Sequence, residues 1–417
     1  MKKISKQLII SFSHSNYCSE SGGTEQFIRE YSKKLQANQF DHVVFFPIVS
    51  FAGKLGVIHN DKFIGIYQYK DLIKIINWFI YRYNYKINSI DIQHLLNHNL
   101  DIIQQVIEFV GAPVYIFVHD FYLICNSVNL IDSDGNLCGY TFPSSEKCSR
   151  CAFAEEGISH WKNISQFMDQ INVYLDKIIV PSAFVKDVIK CNFQKWKEKI
   201  VVRPHLIQEG SYQRSKVKNT LKIAFVGNQI AMKGYEEWIV LTCYLKKMNG
   251  AELFYFGYGK DTIEEVNNIY VSSNIKSKKG MTDYIKQYGI DMAFMWPHCG
   301  ETYSYVYYEL LAAGVFIITN SKSGNVAAEV KQQKNGIVFD TFDECLEWIA
   351  DEESVIKMID NARELEYPKT MLPNNTIYVG KNIDKYQNTD IPYKRVRKLY
   401  GLSYLYRLRK ILKRRKG

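Results

Sequence analysis

The sequence predicts an α/β protein built from two Rossmann-like, doubly wound parallel-sheet domains. Three observations carry this. Short apolar runs alternate with segments of helical periodicity. The alternation stops between His205 and Asn219 and then resumes. The 417 residues suffice for two separate cores. Apolar runs of four to six residues set between helical segments belong to strands buried on both faces.

The elements follow in order. Residues 7–12 read as a buried strand and 24–35 as an amphipathic helix. Residues 43–46, 114–118, 177–180 and 200–202 read as further strands. The polar stretch 205–219, with Gly210, reads as an irregular interdomain linker. Strands at 221–226, 253–256, 291–296 and 315–320 form the second alternation. Beyond Pro368 the pattern weakens. The expected organisation is a first domain over 1–205, a second over 220–365 and an extension over 366–417.

Composition narrows the class. An apolar share of 47% fits a globular chain, and no run of 18 uncharged apolar residues predicts a transmembrane helix. The opening residues read as a first strand rather than a signal peptide, so a cytoplasmic protein with reduced thiols is expected. The net charge is +10, and eleven Lys or Arg with no acid fall within 391–417, so basicity belongs to the tail. There Leu402, Leu405, Leu408, Ile411 and Leu412 recur at helical spacing among basic residues. This basic amphipathic helix, 399–417, suits an anionic membrane surface, as a peripheral contact on the inner face of the membrane. A packed terminal helix with solvated charges is the alternative. Nucleic acid is the least favoured partner, because charge alone speaks for it.

Glu301 and Glu309 carry the most chemistry. Glu301 follows the 291–296 strand, Ser304 is the expected N-cap of the next helix, and Glu309 falls in its second turn. Free amides near Ser304 and Tyr305 suit a diphosphate. A carboxylate on the helix accepts hydrogen bonds from a ribose diol, and one in the loop reaches sugar hydroxyls. Two surface glutamates around a helix start are the plainer reading. Gly22 and Gly23 after the first strand let backbone approach a phosphate, although a Gly-Gly pair is often only a turn. Lys233, between the strand that ends near Gly227 and the next helix, is placed to neutralise a diphosphate or simply to be solvated. His119 sits at a strand end, where a packed histidine is commoner than a catalytic one.

Together these segments resemble the retaining glycosyltransferases of family 4, which have the GT-B fold with two domains facing a central cleft. The resemblance rests on Ser21-Gly22-Gly23-Thr24-Glu25, Val118-His119-Asp120, Pro181-Ser182-Ala183-Phe184, Phe225-Val226-Gly227-Asn228 through Lys233-Gly234, and Glu301 with Glu309 eight residues on. It implies acceptor binding in the first domain and a nucleotide-diphosphate sugar donor in the second. Gly22, Gly23, Gly227, Lys233, Ser304, Tyr305 and Glu309 would bind the donor, and His119 and Glu301 would act in catalysis. It implies a front-face mechanism with no protein nucleophile and no catalytic metal. The one Asp-x-Asp pattern, Asp132-Ser133-Asp134, lies in a turn-rich loop. One departure is plain: Asn228 stands where many members have an arginine.

Cys125, Cys138, Cys148 and Cys151 cluster in a loop spanning 121–151, and the last two have C-x-x-C spacing. Four thiolates of this kind suit a structural zinc. Unligated thiols or a redox pair remain open, and His119 or His160 could replace one cysteine. This loop resembles a subset of family 4 that builds bacterial surface polysaccharides, with a saccharide or lipid-linked saccharide acceptor. Rival readings are a non-catalytic scaffold on the same fold, a zinc-stabilised nucleic-acid binder and a sugar epimerase.

Overall fold

The computed structural model describes residues 5–215, 220–246, 251–259, 261–271, 280–380 and 398–416. The first sheet contains β1 (Lys6–Phe12), β2 (Phe40–Pro47), β3 (Lys54–His59), β4 (Lys62–Gln68), β5 (Tyr85–Ile92), β6 (Val114–Phe117), β7 (Leu175–Val180) and β8 (Ile200–Val202). Their order is β4-β3-β2-β1-β5-β6-β7-β8. From β2 to β8 every pairing is parallel, and β3 and β4 extend one edge antiparallel. The aliphatic positions of β1 are buried from Leu8 onward, as strands covered on both faces require. The β3–β4 hairpin turns on Asn60 and Asp61, whose φ values of 47° and 61° match the twist of the two strands.

Beyond it come β9 (Leu206–Tyr212), β10 (Leu221–Val226), β11 (Ala251–Gly257), β12 (Val266–Tyr270), β13 (Met292–Phe294), β14 (Phe316–Asn320), β15 (Gly336–Phe339) and β16 (Tyr367–Pro373). Six of these form an all-parallel sheet in the order β12-β11-β10-β13-β14-β15. Strand order reverses beside β1 in one sheet and beside β10 in the other, and each reversal opens a crevice at the carboxyl ends of the strands. The glycine loop follows β1, the Lys233 loop follows β10 and the Glu301 loop follows β13, so the candidate residues gather at these two crevices.

Within the segment expected to be an irregular linker, Leu206–Tyr212 is instead a strand. β9 pairs antiparallel with β16, and five of its seven residues are exposed. A polar strand paired with one about 160 residues downstream leaves no apolar period to read.

After β16 the chain returns to the first domain. The Arg203 guanidinium donates to the carbonyls of Asn374 (2.9 Å) and Thr376 (2.8 Å) and stacks on Phe27 at 5.1 Å. The C-terminal helix Tyr400–Lys416 then lies along β4. Ser403 Oγ accepts from the Ile66 amide (2.9 Å), and the Tyr406 ring packs on Phe63 at 5.2 Å. Leu402 joins the same apolar cluster, so this arrangement is the packed-helix alternative. Leu405 is 49% exposed, and the side chains of Leu408, Ile411 and Leu412 lie outside the described residues. Among the described residues no helix is long and apolar enough to cross a membrane.

Candidate functional site

Two cavities adjoin between the carboxyl ends of the large sheets. The larger, about 470 Å³, is walled by the glycine loop and Arg29 on one side and by Gly227, Asn228, Lys233, Glu301, Ser304 and Tyr305 on the other. The smaller, about 280 Å³, adds His119, Asp120, Asn129 and His205. Gly23, Lys233, Glu301, Tyr303 and Tyr305 line both, so the two spaces share one wall.

The Glu301 loop is built rigidly. Its amide donates to the Ser323 carbonyl (3.2 Å) and its own carbonyl accepts from Asn325 (2.8 Å). Ser304 caps the helix Tyr305–Ala312 as expected, accepting from the Tyr307 amide (3.4 Å). The loop also reaches the first domain. Thr302 Oγ1 donates to the His119 carbonyl (2.5 Å), and Ser182 Oγ donates to the Thr302 carbonyl (3.1 Å).

Lys233 ends a 3₁₀ turn, and Gly234 follows with φ of +81°. A Cβ there would collide with the Trp296 carbonyl, so only glycine lets the turn lie on the end of β13. Lys233 Nζ is thereby brought into an ion pair with the Glu301 carboxylate. Burial alone would lower the lysine pKa, but Glu301 more than offsets this and holds it up.

Glu309 stands on the same helix, beyond the lining of either cavity. Burial pushes its carboxyl up to about 7, and no cation contributes to that shift. Among the described residues no cation stands against this carboxylate.

His119 Nε2 lies 3.0 Å from Gln93 Oε1, while Nδ1 is buried with no partner among the described residues. Burial, then the nearby His94, push its pKa down to about 3, which keeps the imidazole neutral. Asp120 is held on both oxygens, by His94 Nε2 (2.8 Å) and by the Tyr122 amide (2.9 Å). Burial opposes its ionisation, yet His94 brings its pKa down overall. The His94 Nδ1 accepts from the Leu96 amide (3.0 Å), which leaves the proton on Nε2.

Sequence reasoning gave no role to three groups here. Glu25 accepts from Ser15 (2.5 Å) and pairs with His14 (3.1 Å). Burial pushes its carboxyl up, but these two partners bring it down to about 2. His14 lies against the His94 ring at 4.6 Å and so links the glycine loop to Asp120. Arg29 lines the larger cavity from the helix Gly23–Ala37. The polar Ser13-His14-Ser15 run directly after a buried strand was the available signal for the first two.

Cys125, Cys138, Cys148 and Cys151 surround one small cavity of about 70 Å³. Cys138 Sγ donates to the Leu130 carbonyl (2.9 Å) and Cys125 Sγ to Asn126 Oδ1 (3.4 Å). Among the described residues no three His, Cys, Asp or Glu side chains are arranged to hold a metal ion. His119 and His160 are engaged elsewhere, with Gln93 and the Tyr122 carbonyl. The loop does cross to the other domain: Tyr140 packs so closely on Gly300 that a Cβ there would collide with its hydroxyl. Asn129, on the same loop, reaches Met232 (3.3 Å).

No protein-family model and no curated protein matches the sequence. Solved structures match in shape. The sucrose-phosphate synthase of Thermosynechococcus elongatus superposes with a TM-score of 0.54 at 11% identity, covering 86% of this chain and 94% of that one. Anabaena HepE, solved in complex with UDP, gives 0.51 at 12% identity, covering 86% and 93%. A glycosyltransferase from Rickettsia africae ESF-5 gives 0.50 at 11%, with the same coverage as HepE. What is shared at such identities is the fold, and the chain has the GT-B architecture of these glycosyltransferases.

Proposed function

We propose that this chain is a retaining, family 4-type glycosyltransferase that moves a hexosyl or deoxyhexosyl unit from a nucleotide-diphosphate sugar to a saccharide acceptor. The observation that carries the reading is the convergence on the larger cavity of a lysine and a capped helix start, with Glu309 on the same helix beyond the lining. The diphosphate sits against Lys233 and the Ser304–Tyr305 amides, with no catalytic metal required. Glu309 takes the ribose diol. HepE, a structural neighbour, is solved with UDP, which supports a nucleotide donor.

The transferred sugar occupies the smaller cavity. There the free Nδ1 of neutral His119 accepts a sugar hydroxyl and fixes the anomeric carbon. Glu301 orients the hydroxyls on the opposite side. The acceptor enters from the first-domain wall near Asp120, and the leaving phosphate takes its proton, so no protein nucleophile is needed. Pre-organised groups of this kind supply most of the rate by orientation and electrostatics.

The wider setting belongs to the same proposal. The acceptor is lipid-linked and serves surface-polysaccharide synthesis, and the protein works peripherally at the inner face of a membrane. The outward residues Tyr400, Tyr404 and Leu405 of the C-terminal helix, flanked by Lys398 and Arg407, provide the contact. A structural zinc on the cysteine loop belongs to the same proposal; Cys125 and Cys138 would leave Asn126 and the Leu130 carbonyl to join Cys148 and Cys151 on it. Metal analysis of the purified protein should find one zinc per chain, and its absence would remove the zinc from this account.

A thermal-shift screen of UDP, GDP, dTDP and ADP tests the central reading. One nucleotide should raise the melting temperature of wild type but not of Glu309→Ala. No shift from any at millimolar concentration would favour a scaffold protein.

A further inference from the structure

The larger cavity has three charged side chains in its lining: Arg29, Lys233 and Glu301. Lys233 and Glu301 are paired, so together they bring no net charge to a diphosphate. Asn228, at the position where family resemblance would place an arginine, is uncharged. The remaining cation is Arg29, and it comes from the opposite domain, on the helix Gly23–Ala37 that follows the glycine loop.

Its guanidinium is fixed on one side only. Nη1 donates to the carbonyls of Tyr17 (2.5 Å) and Glu20 (2.9 Å), which anchors it to the loop ahead of Gly22 and Gly23. Nε and Nη2 make no hydrogen bond among the described residues, and the side chain is neither fully buried nor fully exposed. A guanidinium so anchored presents its remaining donors as a planar fork, the geometry that binds phosphate oxygens bidentately.

We propose that Arg29 is the second cation of the diphosphate site, a binding residue that takes over from the arginine missing at position 228. This rests on the donor-site reading above. The diphosphate is then held between Arg29 of the first domain and Lys233 of the second, so donor binding itself ties the two domains together.

The test is calorimetric titration of UDP, GDP, dTDP and ADP, and of the matching nucleosides, into wild type, Arg29→Gln and Arg29→Gln with Asn228→Arg. The diphosphate that binds wild type should bind Arg29→Gln at least tenfold more weakly, as loss of a charge-assisted contact implies. The nucleoside should bind all three proteins alike, and Asn228→Arg should recover most of the loss. Unchanged diphosphate affinity in Arg29→Gln would overturn the proposal. So would an equal loss for diphosphate and nucleoside, which would mean that Arg29 only props the loop through Tyr17 and Glu20. Failure of wild type to bind any of the four diphosphates would instead overturn the donor reading, and this proposal with it.

Discussion

Lys233 and Glu301 are ion-paired across the wall common to both cavities. The cation that would meet a phosphate already has a carboxylate, and the carboxylate that would meet the sugar already has a cation. Glu301→Gln should therefore act in opposite directions on two steps. Freed from its partner, Lys233 should bind a nucleoside diphosphate a few-fold more tightly. Turnover should fall by about a hundredfold or more, because the sugar loses its orienting group. Calorimetry with the diphosphate and a turnover assay separate the two, and a parallel loss in both would contradict the pairing argument.

Glu309 should cost the ligand-free protein stability. Its carboxyl titrates near 7 in the folded state, above its ordinary value of 4.5. Between those values the folded protein binds more protons than the unfolded chain, so stability falls as pH rises through that window. At pH 8, Glu309→Gln should be more stable than wild type by roughly 2 kcal/mol. At pH 5 the gain should shrink. Denaturant titrations at the two pH values check this, and the same variant should lose nucleotide binding.

His119→Ala should lower turnover by about two to three orders of magnitude while nucleotide affinity changes by less than about twofold. Since burial holds His119 neutral with a pKa near 3, the wild-type rate should show no inflection from this group between pH 5 and 8. Retained turnover in the variant would remove His119 from the sugar site.

Gly300 and Tyr140 should be energetically coupled. Gly300→Ala places a methyl group against the Tyr140 hydroxyl and should push the cysteine loop off the second domain, reducing turnover. Tyr140→Ala should tolerate the same methyl. In a double-mutant cycle the coupling should be about 1 kcal/mol or more, against near-additivity if the two residues do not communicate.

Much of this was readable from the chain. The β13–Glu301–Ser304–Glu309–β14 unit has a local grammar: an apolar strand, a capping serine, a short helix and a small-residue exit. Local physics decides each part, so the structure places them where the pattern does. The β3–β4 hairpin went unread although Asn60-Asp61 between two apolar runs was an available turn signal. Arg29 was not readable at all. On a helix it looks like any solvated arginine, and only the facing of two domains turns it toward a cavity. The His14–His94 contact joins residues 80 positions apart, which no local pattern encodes. The cysteine spacing pointed to one shared site, and the four residues do line one cavity, where Cys125 and Cys138 are hydrogen-bonded to other groups.

The return of the chain after β16 has a bearing on how the molecule is made. Leu402 and Tyr406 cover apolar surface formed by Phe46 and Phe63, and Arg203 waits for the carbonyls of Asn374 and Thr376. On the ribosome, the domain that begins first is thus the last to be finished. Its sheet edge must stay uncovered while some 330 further residues are synthesised, and the second domain is in effect an insertion within the first. A chain halted after residue 365 would carry every residue assigned here to the donor and yet leave the acceptor half unsealed.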